Sequence, residues 1–123
     1  MIPPKRLDEG TWREISSSEV SISDVTGGTC TFNDGVRLGN LVIIRFTVKP
    51  SSVSQVSSVG MNVGQVDAVV TLNGKNFFKC IGLGSNGNFS ITTYISTNHA
   101  FRTRTFGLAA NAEIVQTVFA ALP

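Results

Sequence analysis

Residues 41–49, Leu-Val-Ile-Ile-Arg-Phe-Thr-Val-Lys, carry the clearest alternating pattern in the chain and constrain its fold more than any other segment. Side chains at every second position of a β-strand share one face. One face of this predicted strand is wholly apolar and consists of Val42, Ile44, Phe46 and Val48. The other face begins with Leu41 and Ile43 and then becomes polar. Since a sandwich strand buries one face, we expect a subunit interface or a loop to cover the second.

Similar strand-like runs recur through residues 11–123, separated by Gly, Asn and Asp turn signals at intervals of about 8–12 residues. They predict roughly nine or ten strands in an all-β, antiparallel β-sandwich. Asn33-Asp34-Gly35 is interpreted as one of the turns. The segment 113–123 fits a strand or a short helix, and its β-branched residues favour the strand. Residues 1–10 contain Pro3-Pro4 and are predicted to be an N-terminal arm or neck linker.

The segment Gly82-Leu-Gly-Ser-Asn-Gly87 has the spacing G-x-G-x-x-G of a dinucleotide-binding loop. That motif requires a helix after its third glycine and an acidic residue about 20 positions later. Residues 88–95 are β-branched and aromatic instead, and the next acidic residue is Glu113. We therefore interpret Asn86-Gly87 as a hairpin turn between two antiparallel strands.

Charge is sparse and unevenly distributed in this chain of 123 residues, whose formal net charge is +2. Asp67 is the one acidic residue between positions 35 and 112, against these basic residues: Arg37, Arg45, Lys49, Lys75, Lys79, Arg102 and Arg104. The basic excess is compatible with an anionic partner, and its spread over several strands argues against nucleic acid. An ordinary solvated surface is the favoured interpretation. No apolar run is long enough to insert in a membrane. The first ten residues lack an apolar signal core, which indicates cytoplasmic synthesis.

Catalytic and metal-binding signatures are missing from the sequence. Cys30 and Cys80 are interpreted as small buried residues, although they would permit one disulfide. His99 is the only histidine, and no ligand spacing suggests zinc. Paired carboxylates for glycoside hydrolysis, a nucleophile motif and a phosphate loop are likewise absent. We expect a protein that is not an enzyme and needs no cofactor.

Binding is the better supported function, because aromatic and planar polar side chains cluster about one predicted hairpin bend. Aromatic rings stack on sugars, and Asn, His and Arg supply planar hydrogen-bonding groups. Arginine also suits phosphate or carboxylate groups on a glycan. Alternatively, Tyr94 belongs to the core and the arginines are simply solvated. The candidate ligand-binding residues are Tyr94, Asn98, His99, Arg102 and Arg104.

Three segments together resemble the C-terminal head domain of phage tail-fibre and baseplate receptor-binding proteins. They are Gly-Thr-Trp-Arg-Glu-Ile at 10–15, Val-Arg-Leu-Gly-Asn-Leu-Val-Ile-Ile-Arg-Phe-Thr-Val at 36–48, and the glycine-rich stretch 82–91. The chain departs from that family at 51–60, where Ser-Ser-Val-Ser-Gln-Val-Ser-Ser-Val-Gly replaces the usual proline-and-glycine segment.

The resemblance implies a jelly-roll-like sandwich in a homotrimer, located in the virion at a tail or fibre tip. Such a head would attach the phage to a bacterial surface glycan or an anionic cell-wall polymer, without catalysis, and would contact other tail or baseplate proteins. Two alternatives stay open. A monomeric carbohydrate-binding module would share the sandwich, and a purely structural virion protein would share the oligomer without affinity for glycans.

Overall fold

The computed structural model describes residues 11–58, 60–85 and 88–123. The predicted arm at 1–10 and the Asn86-Gly87 dipeptide lie outside the described residues. Ser17–Glu19 form a 3₁₀ turn, and the described part of the chain contains no α-helix. Its strands are β1 (Arg13–Glu14), β2 (Val20–Thr26), β3 (Gly28–Leu38), β4 (Leu41–Pro50), β5 (Ser54–Val56), β6 (Met61–Leu72), β7 (Lys75–Asn76), β8 (Lys79–Ser85), β9 (Phe89–Ile95), β10 (Ala100–Phe106) and β11 (Ile114–Ala121).

All of these strands belong to one antiparallel sheet of order β1-β3-β4-β11-β8-β9-β10-β6-β2, with β5 and β7 paired to β6. Strand β2 pairs with β6, whereas β3 pairs with β4 near the opposite end of the order. Gly27 alone joins β2 to β3, with a φ of +83° that favours glycine. Because this short connection brings the two ends together, the sheet is curled.

The core lies inside the curl and is rich in aromatic rings. Phe46 of β4 and Phe101 of β10 meet edge to face, 6.1 Å apart, although three strands separate them in the sheet order. Phe77 and Tyr94 pack on Phe101 from other directions, at 5.5 and 6.2 Å. Such pairs contribute about 0.5–1.5 kcal/mol beyond the burial of their area. The all-β, curled antiparallel sheet agrees with the predicted sandwich class.

Strand β4 has the two faces that its sequence predicts. Val42, Ile44, Phe46 and Val48 are buried in the core. On the opposite face Leu41 remains 45% exposed and Ile43 is half-buried. Strand β11, whose type the sequence left open between strand and helix, pairs with β4 along its whole length. The C-terminal segment is therefore a strand, and the favoured prediction is confirmed.

The predicted turn at Asn33-Asp34-Gly35 is wrong, because β3 continues through it as one strand of eleven residues. The register against β4 shifts between Phe32 and Asp34, which makes Asn33 the extra residue of a β-bulge. Asn33 then pairs with Thr47 through two side-chain hydrogen bonds of 2.9 and 3.0 Å. Asn and Gly favour bulges as well as turns, so composition alone does not separate the two.

Strand β8 presents glycines to the core and large apolar side chains to the outside. A Cβ atom on Gly82 would lie 2.7 Å from a methyl group of Val118 and 3.1 Å from Cβ of Thr92. One on Gly84 would collide with the side chains of Gln116 and Ser90. The G-x-G spacing is thus a packing requirement of this strand. Strands β8 and β9 pair antiparallel, as expected on either side of a hairpin turn.

A row of polar side chains crosses the core beneath β8. The hydroxyl groups of Thr92 and Thr103 are 2.8 Å apart, and Ser90 donates a hydrogen bond to the side-chain oxygen of Gln116. All four residues are buried. Within the described part of the chain, Thr105 Oγ1 and Gln116 Nε2 are buried polar atoms without a hydrogen-bond partner. No helix among the described residues is long and apolar enough to span a membrane.

Candidate functional site

Tyr94 and His99, two of the predicted ligand-binding residues, lie together at one end of the sheet. The Tyr94 hydroxyl contacts both the backbone oxygen of Phe77 and Nδ1 of His99, the latter at 2.8 Å. Because a carbonyl oxygen can only accept, the tyrosine donates to Phe77 and accepts from the histidine Nδ1–H. His99 has a φ of +60° in the turn at 96–99. Burial raises the pKa of Tyr94 above its usual value.

Arg102 and Arg104 lie elsewhere, on the outward face of β10, because they alternate with buried residues of that strand. Arg102 donates to Asp67 of β6 through Nε and Nη2, both at 3.0 Å, and only 29% of its side chain is exposed. The hydrogen bonds to Asp67 raise the pKa of the guanidinium. Arg104 donates to the side-chain oxygen of Gln65 at 3.2 Å.

The five predicted residues therefore occupy two places. Tyr94 packs against the core with His99 beside it, and Asn98 is exposed in the same turn. The two arginines face outward and are held by neighbours on β6. The alternative interpretation placed Tyr94 in the core and left the arginines solvated. Tyr94 does pack against the core, but Arg102 is held by Asp67 and Arg104 by Gln65.

An uncovered apolar surface lies on the outside of β4, β11, β8, β9 and the end of β10. Phe119 is the register partner of both Ile43 and Ile81, and Leu83 is that of Ile91, so the side chains form a continuous patch. Ile81 and Leu83 are 62% and 64% exposed. We call this patch the outer apolar face, and it comprises Leu41, Ile43, Ile81, Leu83, Phe89, Ile91, Phe106, Val115 and Phe119.

A groove of about 410 Å³ runs beside the outer apolar face, over β1, β3, β4 and β11. Ionic walls are formed by Glu14, Asp34 and Arg45, while Thr117 supplies a hydroxyl group. Its aliphatic lining is provided by Ile15, Val36 and Ile43. The volume is within the range of small-molecule sites, about 300–1,000 Å³.

The bulge in β3 is what places Asp34 in this groove. With Asn33 as the extra residue, Asp34 becomes the register partner of Arg45 on the outer side of the sheet. Arg45 donates to both carboxylate oxygens, with Nε to Oδ1 at 2.7 Å. These hydrogen bonds lower the pKa of Asp34 and raise that of Arg45. This pair could not be predicted from the sequence, because residues 33–35 resembled a turn.

Neither cysteine forms a reactive or metal-binding site. Cys30 and Cys80 are unpaired and half-buried, and they pack at the edge of the hydrophobic core. Burial raises the pKa of both thiols to about 12, which keeps them protonated and poorly nucleophilic. Among residues 11–58, 60–85 and 88–123, no group of three or more His, Cys, Asp and Glu side chains is placed to hold a metal ion.

Comparison with known proteins finds no matching family model, no similar curated protein and no similar solved structure.

Proposed function

We propose that this chain is a non-catalytic receptor-binding head domain that assembles through its outer apolar face and attaches to a bacterial surface saccharide. The observation that carries the proposal is the exposure of large apolar side chains in the middle of a regular sheet. Phe119 is the register partner of Ile81, and Leu83 lies two residues further along β8. Each of the three side chains is about half to two-thirds exposed. Contiguous apolar patches of this kind mark interaction surfaces in soluble proteins.

A second copy of the same chain is the partner that the flanks of this face favour. On one side the Asp34–Arg45 pair lies on β3 and β4, and on the other the Asp67–Arg102 pair lies on β6 and β10. Each flank thus offers one carboxylate and one guanidinium. Each flank is therefore formally neutral, so a second copy of the chain would meet no like-charge repulsion when it packs on the outer apolar face. A heterologous contact whose rotation closes generates a ring such as a trimer.

In full, we propose that the chain forms a homotrimer with a jelly-roll-like arrangement, as the sequence resemblance implies. The trimer is part of a virion, at the tip of a tail or fibre, and it contacts other tail or baseplate proteins. Its ligand is a saccharide or an anionic polymer of the bacterial surface. A monomeric carbohydrate-binding module would have no use for the outer apolar face, which makes that alternative the weaker one.

An adsorption experiment tests the proposal. Labelled protein is mixed with a panel of Gram-positive and Gram-negative bacteria, and polysaccharide extracted from any strain that binds is added as competitor. We expect saturable adsorption to some strains that the polysaccharide abolishes. Leu83→Asp, in the middle of the outer apolar face, should yield monomers of 13.1 kDa and weaker, single-site adsorption. Val25→Asp, at an exposed apolar position of β2, is the matched control and should leave both unchanged.

The sequence-derived ligand residues are tested in the same assay. Tyr94→Phe, His99→Ala and Arg102→Lys each remove hydrogen-bonding groups and should weaken adsorption if these side chains touch the receptor. Adsorption that none of the three changes, in folded protein, would contradict their assignment. Adsorption to no strain, by an assembled protein, would favour the purely structural virion protein.

A further inference from the structure

We propose that the groove between β1 and β11 binds a single non-anionic sugar residue, a neutral hexopyranose or an amino sugar. This inference rests on the proposed attachment function and assigns its ligand to a place outside the five sequence-derived residues. The groove is lined by Glu14, Asp34, Arg45 and Thr117 together with an aliphatic lining.

The polar groups of the groove match the hydroxyl groups of a sugar. Arg45 and Asp34 are paired side by side, so a donor and an acceptor lie next to each other, as two vicinal hydroxyl groups require. Each side chain is more than half exposed and retains hydrogen-bonding capacity toward the groove. The exposed Glu14 carboxylate receives no hydrogen bond from another described residue. It is available as a further acceptor.

The aliphatic part of the groove suits the other side of a pyranose. Ile43 and Val36 are register partners and are both half-buried. Together they present a small apolar surface beside the ionic groups, against which the C–H bonds of a sugar ring can pack. None of the described residues that line the groove is aromatic, so their contact with the sugar is aliphatic and the hydrogen bonds supply the orientation.

Charge decides which sugars fit. Two carboxylates, Glu14 and Asp34, face one guanidinium, Arg45, so the formal charge of the groove is negative. A phosphate or carboxylate group on the sugar would be repelled, whereas an ammonium group would be attracted. The groove thus differs from the outward face of β10, where Arg102 and Arg104 suit an anionic ligand.

Arg37 provides a matched control outside the groove. It donates through Nε and Nη2 to the backbone oxygen of Gly39, at 3.1 and 2.9 Å. Replacing Arg45 or Arg37 by lysine keeps the charge and removes a two-pronged hydrogen bond. Arg45→Lys and Arg37→Lys therefore compare the two locations by the same chemical change, and Glu14→Gln tests the third ionic group of the groove.

Binding is measured with the full chain against an array of bacterial surface polysaccharides and against the methyl pyranosides of glucose, galactose, mannose, glucosamine and N-acetylglucosamine. Saturation-transfer NMR gives the affinity for the small probes, and amide shifts show where they bind. Thermal unfolding and light scattering check that each variant folds and assembles as the parent does.

We expect shifts at Gly35 and Thr117, and a Kd raised about tenfold or more by Arg45→Lys or Glu14→Gln, as loss of a charged hydrogen bond predicts. Arg37→Lys should change the Kd by less than about twofold, since the lost bond lies outside the groove. Binding that survives both groove substitutions, or a preference for phosphorylated or carboxylated glycans, would overturn the groove assignment and leave the attachment function intact. Binding to no array glycan and no cell would overturn both.

Discussion

Gly82 and Gly84 illustrate how two residues fix a strand through the atoms they lack. Both face the core of β8, and neither has space for a Cβ atom between β11 and β9. The large side chains of this strand, Ile81 and Leu83, consequently point outward. The sequence allowed the nucleotide motif to be dismissed, because the flanking residues lacked a helix. It did not reveal the packing role, which depends on contacts between strands distant in sequence.

Gly82→Ala should lower the free energy of unfolding by about 1–3 kcal/mol, the usual cost of overpacking a filled core. The added methyl group would lie 2.7 Å from Val118 and 2.9 Å from the backbone oxygen of Thr117. Urea denaturation measures the change. Ser85→Ala, at an exposed position of the same strand, is the control and should stay within about 0.5 kcal/mol of the parent. Equal stability of the two variants would contradict the packing account.

Glu19 gives the molecule a pH-dependent contact between the 3₁₀ turn and the turn after β6. The Ser16 amide donates to its carboxylate at 2.9 Å and the Asn73 side chain at 3.4 Å, and these bonds lower its pKa to about 2. A carboxyl with a depressed pKa stabilises the folded state above its ordinary value of 4.5. That stabilisation is lost as the pH falls from about 4.5 to about 2.

Glu19→Gln should therefore reduce the Tm at neutral pH, with a difference from the parent that shrinks below pH 4.5 and vanishes near pH 2. Differential scanning calorimetry at a series of pH values measures it. Glu113→Gln, at another exposed glutamate, serves as control. A difference that is constant from pH 7 to pH 2 would show that ionisation of Glu19 does not contribute.

At the scale of elements, strands with regular alternation could be predicted from the sequence, whereas the β-bulge in β3 led to a wrong prediction. Strand β4 alternates over its full length and β10 from Phe101 onward, and their buried faces follow the sequence pattern. Strand β3 does not, because the bulge at Asn33 shifts its alternation by one residue midway. The local sequence pattern therefore predicts two strands and a turn in place of β3. The pairing with β4 that makes it one strand is a tertiary contact and is not encoded in the local pattern.

Deletion of Asn33 tests the bulge. Phe32 pairs with Phe46 and Asp34 with Arg45, so removal of the extra residue leaves both register pairs in place and makes β3 a regular strand. The variant loses the two side-chain hydrogen bonds between Asn33 and Thr47. We expect the free energy of unfolding to fall by about 1–3 kcal/mol, as the loss of two hydrogen bonds predicts. Deletion of Ser58, in the turn after β5, should cost less. Equal losses measured by chemical denaturation would contradict a specific role for the bulge.

At the scale of the whole molecule, the sequence predicted a strand in need of cover on both faces but not the extent of the uncovered surface. Of the outer apolar face, only Leu41 and Ile43 could be recognised from the alternating pattern of β4 alone. The rest of the outer apolar face comes from β8, β9 and β11, whose adjacency depends on the sheet order. The groove could not be predicted either, because Glu14, Asp34 and Arg45 lie on three different strands and come together only in the folded sheet. Tyr94 and His99 are close in sequence, and they do meet.

The proposed function requires that the chain self-associates through its outer apolar face, and the absolute mass of the purified chain shows whether it does. Multi-angle light scattering on a sizing column, repeated over a range of concentrations, gives that mass. We expect a particle of three times 13.1 kDa at all but the lowest concentrations, reduced to 13.1 kDa by Leu83→Asp. A parent chain of 13.1 kDa at every concentration would contradict self-association, and would mean that a partner other than this chain covers the outer apolar face.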